Sequence, residues 1–339
     1  MGTKGPMRNV QLTEFDLEIY EREIRPLLPE QVFDAHCHLL INQFHPRLAE
    51  TLPLALDPLL NEVDLPWLEA WWRALFPGIE VSGMLMGFPT LDVDMAGENG
   101  MVARSANEKG WPFALLVRPE MPAVDLERDI QSLNPSVLKP AQASITDMLP
   151  EEQIALADKY GLAVMLHVSK PRGMADAENL DDITRLIRDY PHCQFILAHC
   201  GRCFIPPNMD DALKRLPAAE NLWLDTSAVC DIGVFLSLFS RYDRSRILFG
   251  TDLVTAAAFR GSYVRLGMSW HVCTDAMVAR AGGMAAKSTF AAYESLCALC
   301  YAVRFLGLSE AERWDLFFQN AAQLYRAGAA LPRGEALPS

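Results

Sequence analysis

No apolar stretch in this sequence approaches the ~20 residues that a membrane span needs, so a membrane is not an expected partner. Basic residues are scarce: 30 Lys plus Arg stand against 43 Asp plus Glu, a net charge of −13. A nucleic-acid binder needs the opposite balance, with cations to displace counterions, so nucleic acid is excluded as a partner. There is no internal repeat, no low-complexity segment and no Gly/Ser-rich linker. Met1 to Gln11 carries no apolar core of a signal peptide, and Pro6 stands where a myristoylation signal wants Ser or Thr. A cytoplasmic location is therefore expected, and with it eight reduced cysteines.

What the chain does have is a recurring alternation of strand and helix. Its 339 residues are half hydrophobic, enough for a large core. Short apolar runs occur at Val32–His36, Val81–Met86, Phe113–Val117, Val137–Lys139, Leu162–His167, Phe195–His199, Leu222–Asp225 and Ile247–Gly250. Runs that do not alternate are typical of parallel strands covered on both faces. Helical periodicity follows them: Leu180, Ile183 and Ile187 share one face, as do Ile154, Ala157 and Tyr160 before Gly161, a C-terminal cap. Thr13 with Asp16 reads as an imperfect capping box. Eight such units predict an α/β fold, a (β/α)8 TIM barrel in one domain spanning 1–339. An insertion follows strand 1 at about 40–80, with Trp67, Trp71 and Trp72 expected to pack it onto the barrel. Residues 256–339 are expected to be extra C-terminal helices.

The seven histidines are informative by placement. His36 and His38 stand two apart on the first strand, where side chains i and i+2 share a face and can grip one ion. His167, His199 and Asp252 each close a later strand, or follow it directly. In a (β/α)8 barrel those C-terminal ends meet at one mouth. Metal-capable side chains therefore converge there, although a hydrogen-bonded core histidine is the alternative for any one of them.

These residues carry a resemblance. Phe33–His38 (FDAHCH), Ile196–Gly201 (ILAHCG), Leu248–Asp252 (LFGTD) and Asn320–Tyr325 (NAAQLY) resemble the amidohydrolase superfamily. The similarity is to the amidohydrolase-related branch that includes aminocarboxymuconate semialdehyde decarboxylase and TIM-barrel metal-dependent hydrolases, and it spans about residues 32–326. It implies that His36, His38, His167 and Asp252 hold one divalent metal, most often Zn2+, with Mn, Fe, Co or Ni as alternatives. It implies that His199 orients the bound water or polarises the substrate, and that Asp252 doubles as proton shuttle. It also suggests, together with the apolar residues of 40–80, a homodimer. Zinc with an open position and a nearby carboxylate suits such chemistry.

Lys139 ends the fourth strand. In binuclear members of the superfamily a lysine there bridges two metals after carboxylation; here it is read as a substrate or structural group, since single-metal sites predominate in this branch. Lys170, Arg172, Arg202 and Arg260 are expected near the mouth of an otherwise acidic protein. Two readings stand: capture of a carboxylated substrate, or pairing with loop acids such as Asp176, Glu178 and Asp210. The CxxC spacings at Cys200–Cys203 and Cys297–Cys300, like Cys37, are read mainly as core. His45, His192 and His271 lack motif context; His271, after the last strand, could reach the pocket but reads mainly as a surface or loop residue. The expected function is hydrolysis of a C–O or C–N bond (ester, lactone or amide) in a small anionic molecule by metal-activated water. The alternative is non-oxidative decarboxylation of an aromatic or muconate-type acid.

Overall fold

The computed structural model describes residue 10 and residues 12–47, 62–90, 92–141, 149–253, 257–281 and 287–328, the last three by backbone only. Among the described residues eleven strands run in chain order: β1 (Gln31–Ile41), β2 (Glu62–Val63), β3 (Glu80–Gly87), β4 (Ala114–Val117), β5 (Val137–Pro140), β6 (Ala163–Leu166), β7 (Gln194–Leu197), β8 (Leu222–Asp225), β9 (Ile247–Leu248), β10 (Gly261–Leu266) and β11 (Ser269–Thr274). Strands β4 to β9 form a parallel sheet in sequential order, and β1 pairs in parallel with β3. All eight apolar runs are thus parallel strands. Ladder pairing stops at two seams. At one, Leu85 bridges Phe113; at the other, Cys37 bridges Leu253. The second seam carries further backbone bonds, with Ala35 N–H donating to Phe249 O at 2.8 Å and Asp252 N–H to His36 O at 2.8 Å.

Helices cover the outer face. Glu151–Tyr160 ends at Gly161 in the left-handed conformation (φ 61°), where glycine carries no Cβ penalty. Ala177–Asp189 buries Leu180, Ile183 and Ile187. The strands separate two apolar clusters, and neighbours such as Phe195 and Ile196 fall on opposite sides, as the pleat requires.

On β1 that parity breaks, with a functional consequence. Asp34 pairs with Gly83 but Cys37 pairs with Leu85, so β1 carries one extra residue there. Ahead of this bulge, Phe33 and Ala35 belong to the inner cluster; beyond it, Cys37 and Leu39 belong to the outer one. The insertion of a single residue reverses which face a side chain takes, and it turns His36 and His38 inward. Asp34, at the bulge, is fully buried. It accepts from Thr251 N–H at 2.9 Å, Thr251 Oγ1–H at 2.5 Å, Trp72 Nε1–H at 3.0 Å and His36 N–H at 3.2 Å. One carboxylate therefore ties β1, the chain after β9 and the insertion together.

Within the expected insertion, positions 48–61 lie outside the described residues. The remainder contributes a helix, Leu65–Leu75, capped by Asp64 and burying Leu65, Leu68, Trp71, Trp72 and Leu75; Trp72 packs against β1 and β3, Trp71 against Phe290, and Trp67 is half-buried against Trp71. The Thr13–Asp16 capping box is present. The all-helical expectation for 256–339 is corrected. Helices occur at Asp275–Arg280, Ala291–Leu306 and Asn320–Gly328, but β10 and β11 come first as an antiparallel hairpin. Tyr263, Val264, Trp270 and Val272 favour extended backbone, and Gly267 supplies the positive φ of the turn (62°). Arg260, expected at the mouth, instead pairs with Asp16 at 2.6 Å and donates to Ser288 O at 3.2 Å.

Thr251→Val keeps the volume but removes a donor to buried Asp34 and the Oγ1 acceptor of Leu253 N–H. Urea unfolding should show a loss of about 2–3 kcal/mol; an unchanged midpoint and slope would remove Asp34 as the fastening point.

Candidate metal centre

The site is built where the parallel strands end. His36 and His38 face one another with Nε2 atoms 3.2 Å apart. Each ring is anchored by its other nitrogen: His36 Nδ1 lies 2.9 Å from Asp225 Oδ2, and His38 Nδ1 lies 3.0 Å from Gly87 O. A carbonyl only accepts, as does an ionised carboxylate, so both Nδ1 atoms carry the proton and both Nε2 atoms present lone pairs. Asp252 Oδ1 completes the set at 3.4 Å from His36 Nε2 and 3.3 Å from His38 Nε2.

Three acceptors thus converge with no proton among them. That arrangement is repulsive unless a cation sits between. A tetrahedral ion with bonds of about 2.0–2.1 Å holds its ligand atoms about 3.3–3.4 Å apart, which is the spacing seen here. Imidazole and carboxylate donors suit a divalent metal of the zinc, manganese or iron kind. His36, His38 and Asp252 therefore fit such an ion. Burial alone would push the Asp252 carboxyl up; the positive charge that holds it ionised, well below the usual range, comes from protons on His199, His36 and His38 or from an ion that takes their place.

Asp225 escaped the sequence reading as a site residue, although an acid closing the apolar run Leu222–Asp225 was an available signal. It is fully buried. Besides His36 it accepts from His199 N–H at 3.0 Å, Ser227 N–H at 3.0 Å and Ser227 Oγ–H at 2.5 Å. Burial opposes its charge, yet His36, His199 and Ser227 bring it down to about 2. It joins His36 and His199 in a second group of ligand-capable atoms lying within 4.8 Å of one another.

His199 is held in strained backbone. Residues His199, Cys200, Gly201 and Arg202 all take left-handed φ, between 52° and 62°. Such strain costs of order 1–3 kcal/mol per non-glycine residue and concentrates at functional sites. Asp252 shares it, at φ 61°. The Ser227 hydroxyl gives its proton to Asp225, so His199 Nδ1 must donate to Ser227 Oγ, 2.8 Å away. His199 Nε2 is then an acceptor, 3.9 Å from Asp252 Oδ2. Burial lowers this imidazole to about 4, despite Asp252, and keeps it neutral at pH 7.

His167 follows β6 and sets its ring at right angles to that of His199, with centroids 4.9 Å apart. It lies outside both ligand groups, and Arg202 Nη1 stands 3.2 Å from each of its ring nitrogens. Arg202 also lies over Trp270, 5.6 Å from the ring centroid. Phe204 stacks between His199 and the hairpin residues Tyr263 and Trp270. This aromatic wall was not read from the sequence, because the hairpin was not.

Lys139 is 2% exposed and makes no ion pair or hydrogen bond among the described residues. Burial lowers its ammonium to about 8, with Asp225 and Asp252 pulling the other way. Lys170 pairs with Glu178 and Arg172 with Asp211, all four partly or largely exposed. Of the four cations expected at the mouth, only Arg202 joins the cluster. His271 is exposed on β11 and His192 is exposed. All eight cysteines are free thiols, and neither CxxC pair belongs to a ligand group among the described residues. Cys37 is core, as expected, with its Sγ–H directed to Met84 O at 3.3 Å.

A family model described as amidohydrolase matches residues 132–327, more than half of the chain. Among solved structures, 2,6-dihydroxybenzoate decarboxylase complexed with 2,6-dihydroxybenzoate superposes with a TM-score of 0.54 at 13% identity, covering 88% of this chain and 99% of that one. A probable 2-pyrone-4,6-dicarboxylic acid hydrolase from Acinetobacter baumannii gives 0.54 at 12%, covering 87% and 99%. A dihydroxybenzoic acid decarboxylase from Polaromonas sp. JS666, with bound manganese, gives 0.52 at 15%, covering 88% and 97%. At these identities the likeness establishes the fold alone. No curated protein matches the chain. Among the described residues, no helix is long and apolar enough to cross a membrane.

Replacing Asp225 by Asn removes the group that fixes the His36 tautomer. Zinc affinity, measured by competition with a chelating dye, should fall about 10–100-fold while the far-UV spectrum is retained. Undiminished affinity would show that His36 needs no anchor.

Proposed function

Since this chain belongs to the amidohydrolase family, we propose that it is a metal-dependent hydrolase of a small carboxylated substrate, cleaving an ester, lactone or amide. One observation carries this reading. His36 Nε2, His38 Nε2 and Asp252 Oδ1 are three unprotonated acceptors spaced at 3.2–3.4 Å. The eight parallel strands with their two bridged seams are read as a (β/α)8 barrel, and the whole chain as one unit around it. In such a barrel the catalytic groups gather at the C-terminal strand ends, which is where these atoms lie.

His36, His38 and Asp252 would hold the ion, zinc in our reading, with His167 the fourth candidate once Arg202 leaves its ring. When bound, the ion supplies Lewis acidity and lowers the pKa of a water toward about 7. The protein's own groups do the rest. Neutral His199 presents Nε2 as a proton acceptor facing Asp252 Oδ2. It can orient the attacking water and, with Asp252, take the proton and return it to the leaving group. Ser227 and Asp225 hold the imidazole in the tautomer that permits this.

The substrate class follows from charge. Arg202 meets no carboxylate among the described residues, and Lys139 is buried without an ion pair. Both are assigned to an anionic substrate group. Lys170 and Arg172 are not, because each is already neutralised at the surface. Trp270 and Phe204 offer flat apolar faces beside Arg202.

The same cations favour a second reading. They would draw a carboxylate to the reacting centre itself, which suits a non-oxidative decarboxylase, and two of the three structures compared above are named decarboxylases. Incubation with carboxylated lactones and esters, and in parallel with aromatic and muconate-type acids, separates the two: acid release marks the hydrolase and CO2 the decarboxylase.

Elemental analysis of protein purified without chelator should find one metal per chain. His38→Ala should lose both metal and turnover. Two equivalents would make Lys139 a carboxylated bridge, and full turnover without metal would end the proposal.

A further inference from the structure

His38 depends on a single acceptor, the Gly87 carbonyl, to keep its proton on Nδ1. That carbonyl belongs to the same peptide unit as Phe88 N–H, and the two groups point in opposite directions across one plane. Glu98 Oε1 accepts from Phe88 N–H at 3.3 Å. One peptide plane is therefore gripped from both sides, by His38 at its carbonyl and by Glu98 at its amide. If it turned, both bonds would break.

The grip is built into the packing. Glu98 is fully buried on the helix Met95–Lys109. A Cβ at Gly87 would lie 2.5 Å from Glu98 Cγ, so only glycine admits the approach. Behind Glu98 stands His45, also buried, with Nε2 at 3.4 Å from Oε1 and Nδ1 at 2.8 Å from Thr90 Oγ1. Among the described residues, His45 Nε2 and Glu98 Oε2 have no hydrogen-bond partner. His45 Nε2 thus faces the Glu98 carboxyl at ion-pair distance, while the other ring nitrogen is held by Thr90. The Phe88 ring closes the arrangement against the His38 ring, with centroids 5.1 Å apart.

We infer that Glu98, backed by His45, is a positioning residue: it orients the Gly87–Phe88 peptide so that His38 presents Nε2 to the metal. The inference rests on the metal-centre reading above. A carboxylate on the amide side also polarises the peptide and strengthens its carbonyl as acceptor, an effect that a neutral side chain would supply less well.

The test uses the full-length protein stripped of metal, with two readouts. The first is Co2+ titration followed by its visible absorption. The second is the 15N signature of the His38 tautomer in the metal-free state. Glu98→Met conserves volume and removes the acceptor. It should weaken Co2+ binding about tenfold, the lower end for an outer partner, and mix the two His38 tautomers. Glu98→Gln keeps an acceptor oxygen and should restore most of the affinity. Wild-type affinity and a fixed Nδ1–H tautomer in folded Glu98→Met would overturn the inference. Should that variant not fold, Thr90→Val, which releases His45, must still shift the tautomer, and an unchanged signature would equally overturn it. Failure of the wild type to take up Co2+ would sink the metal-centre reading instead, and the tautomer measurement would judge Glu98 separately.

Discussion

Two imidazole lone pairs set face to face at 3.2 Å, with a carboxylate oxygen closing the triangle, form an arrangement that a protein cannot hold cheaply. Each of the three atoms repels the other two until positive charge arrives. The cost is met by fixing the far side of every ligand. Asp225 holds His36, the Gly87 carbonyl holds His38, and the backbone bond from Asp252 to His36 O keeps the acid in place. The anchors leave the ligands no rotamer or tautomer that relieves the conflict. Affinity for a cation is thereby built in before any cation binds, which is what preorganisation means at a metal site.

The same requirement accounts for irregularities that would otherwise look like defects. A regular strand through residues 33–38 would carry His36 and His38 to the outer face with the helices. The bulge corrects this, and Asp34 holds the bulge with four hydrogen bonds. Left-handed backbone at His199 and Asp252 aims two side chains that ordinary strand ends would direct elsewhere. These distortions sit at the strand termini and cost stability there. The two apolar clusters beneath them are regular and supply the surplus.

Much of this was legible in the chain. Parallel strands buried on both faces announce themselves as short apolar runs, so all eight were readable. The polar residue closing each run is conspicuous, so His36, His38, His199 and Asp252 were too. What escaped depended on partners distant in sequence. Asp225 looks like any strand-end acid until His36 and His199 arrive from other strands. Glu98 looks like a helix-surface residue of α-helical spacing until Gly87 lets it in. Arg260 was placed at the mouth by counting from Asp252, but Asp16, over two hundred residues away, claims it. The hairpin was missed because its alternating residues follow the last strand directly and run into a long stretch that reads as helix.

Charge then decides what the site can accept. The protein is strongly acidic as a whole, yet the centre gathers Lys139, Arg202 and a triangle suited to a dication; Asp34 and Glu98 are buried behind the ligands, and Asp225 and Asp252 lie among them. Those two are already engaged by histidines. With an ion bound, the ion, Lys139 and Arg202 would set positive charge behind low-dielectric walls, where it is felt most strongly. Arg202 is held beside the site by Trp270 across its face and by the left-handed backbone at 199–202. In the function proposed above, the substrate brings negative charge to Arg202 and Lys139. An anion entering beside Trp270 would relieve Arg202 of its contact with His167 and leave that ring free to turn toward the ion. On this account substrate charge and ligand geometry are coupled through one guanidinium, and an uncharged analogue of the same shape would leave His167 where the structure has it.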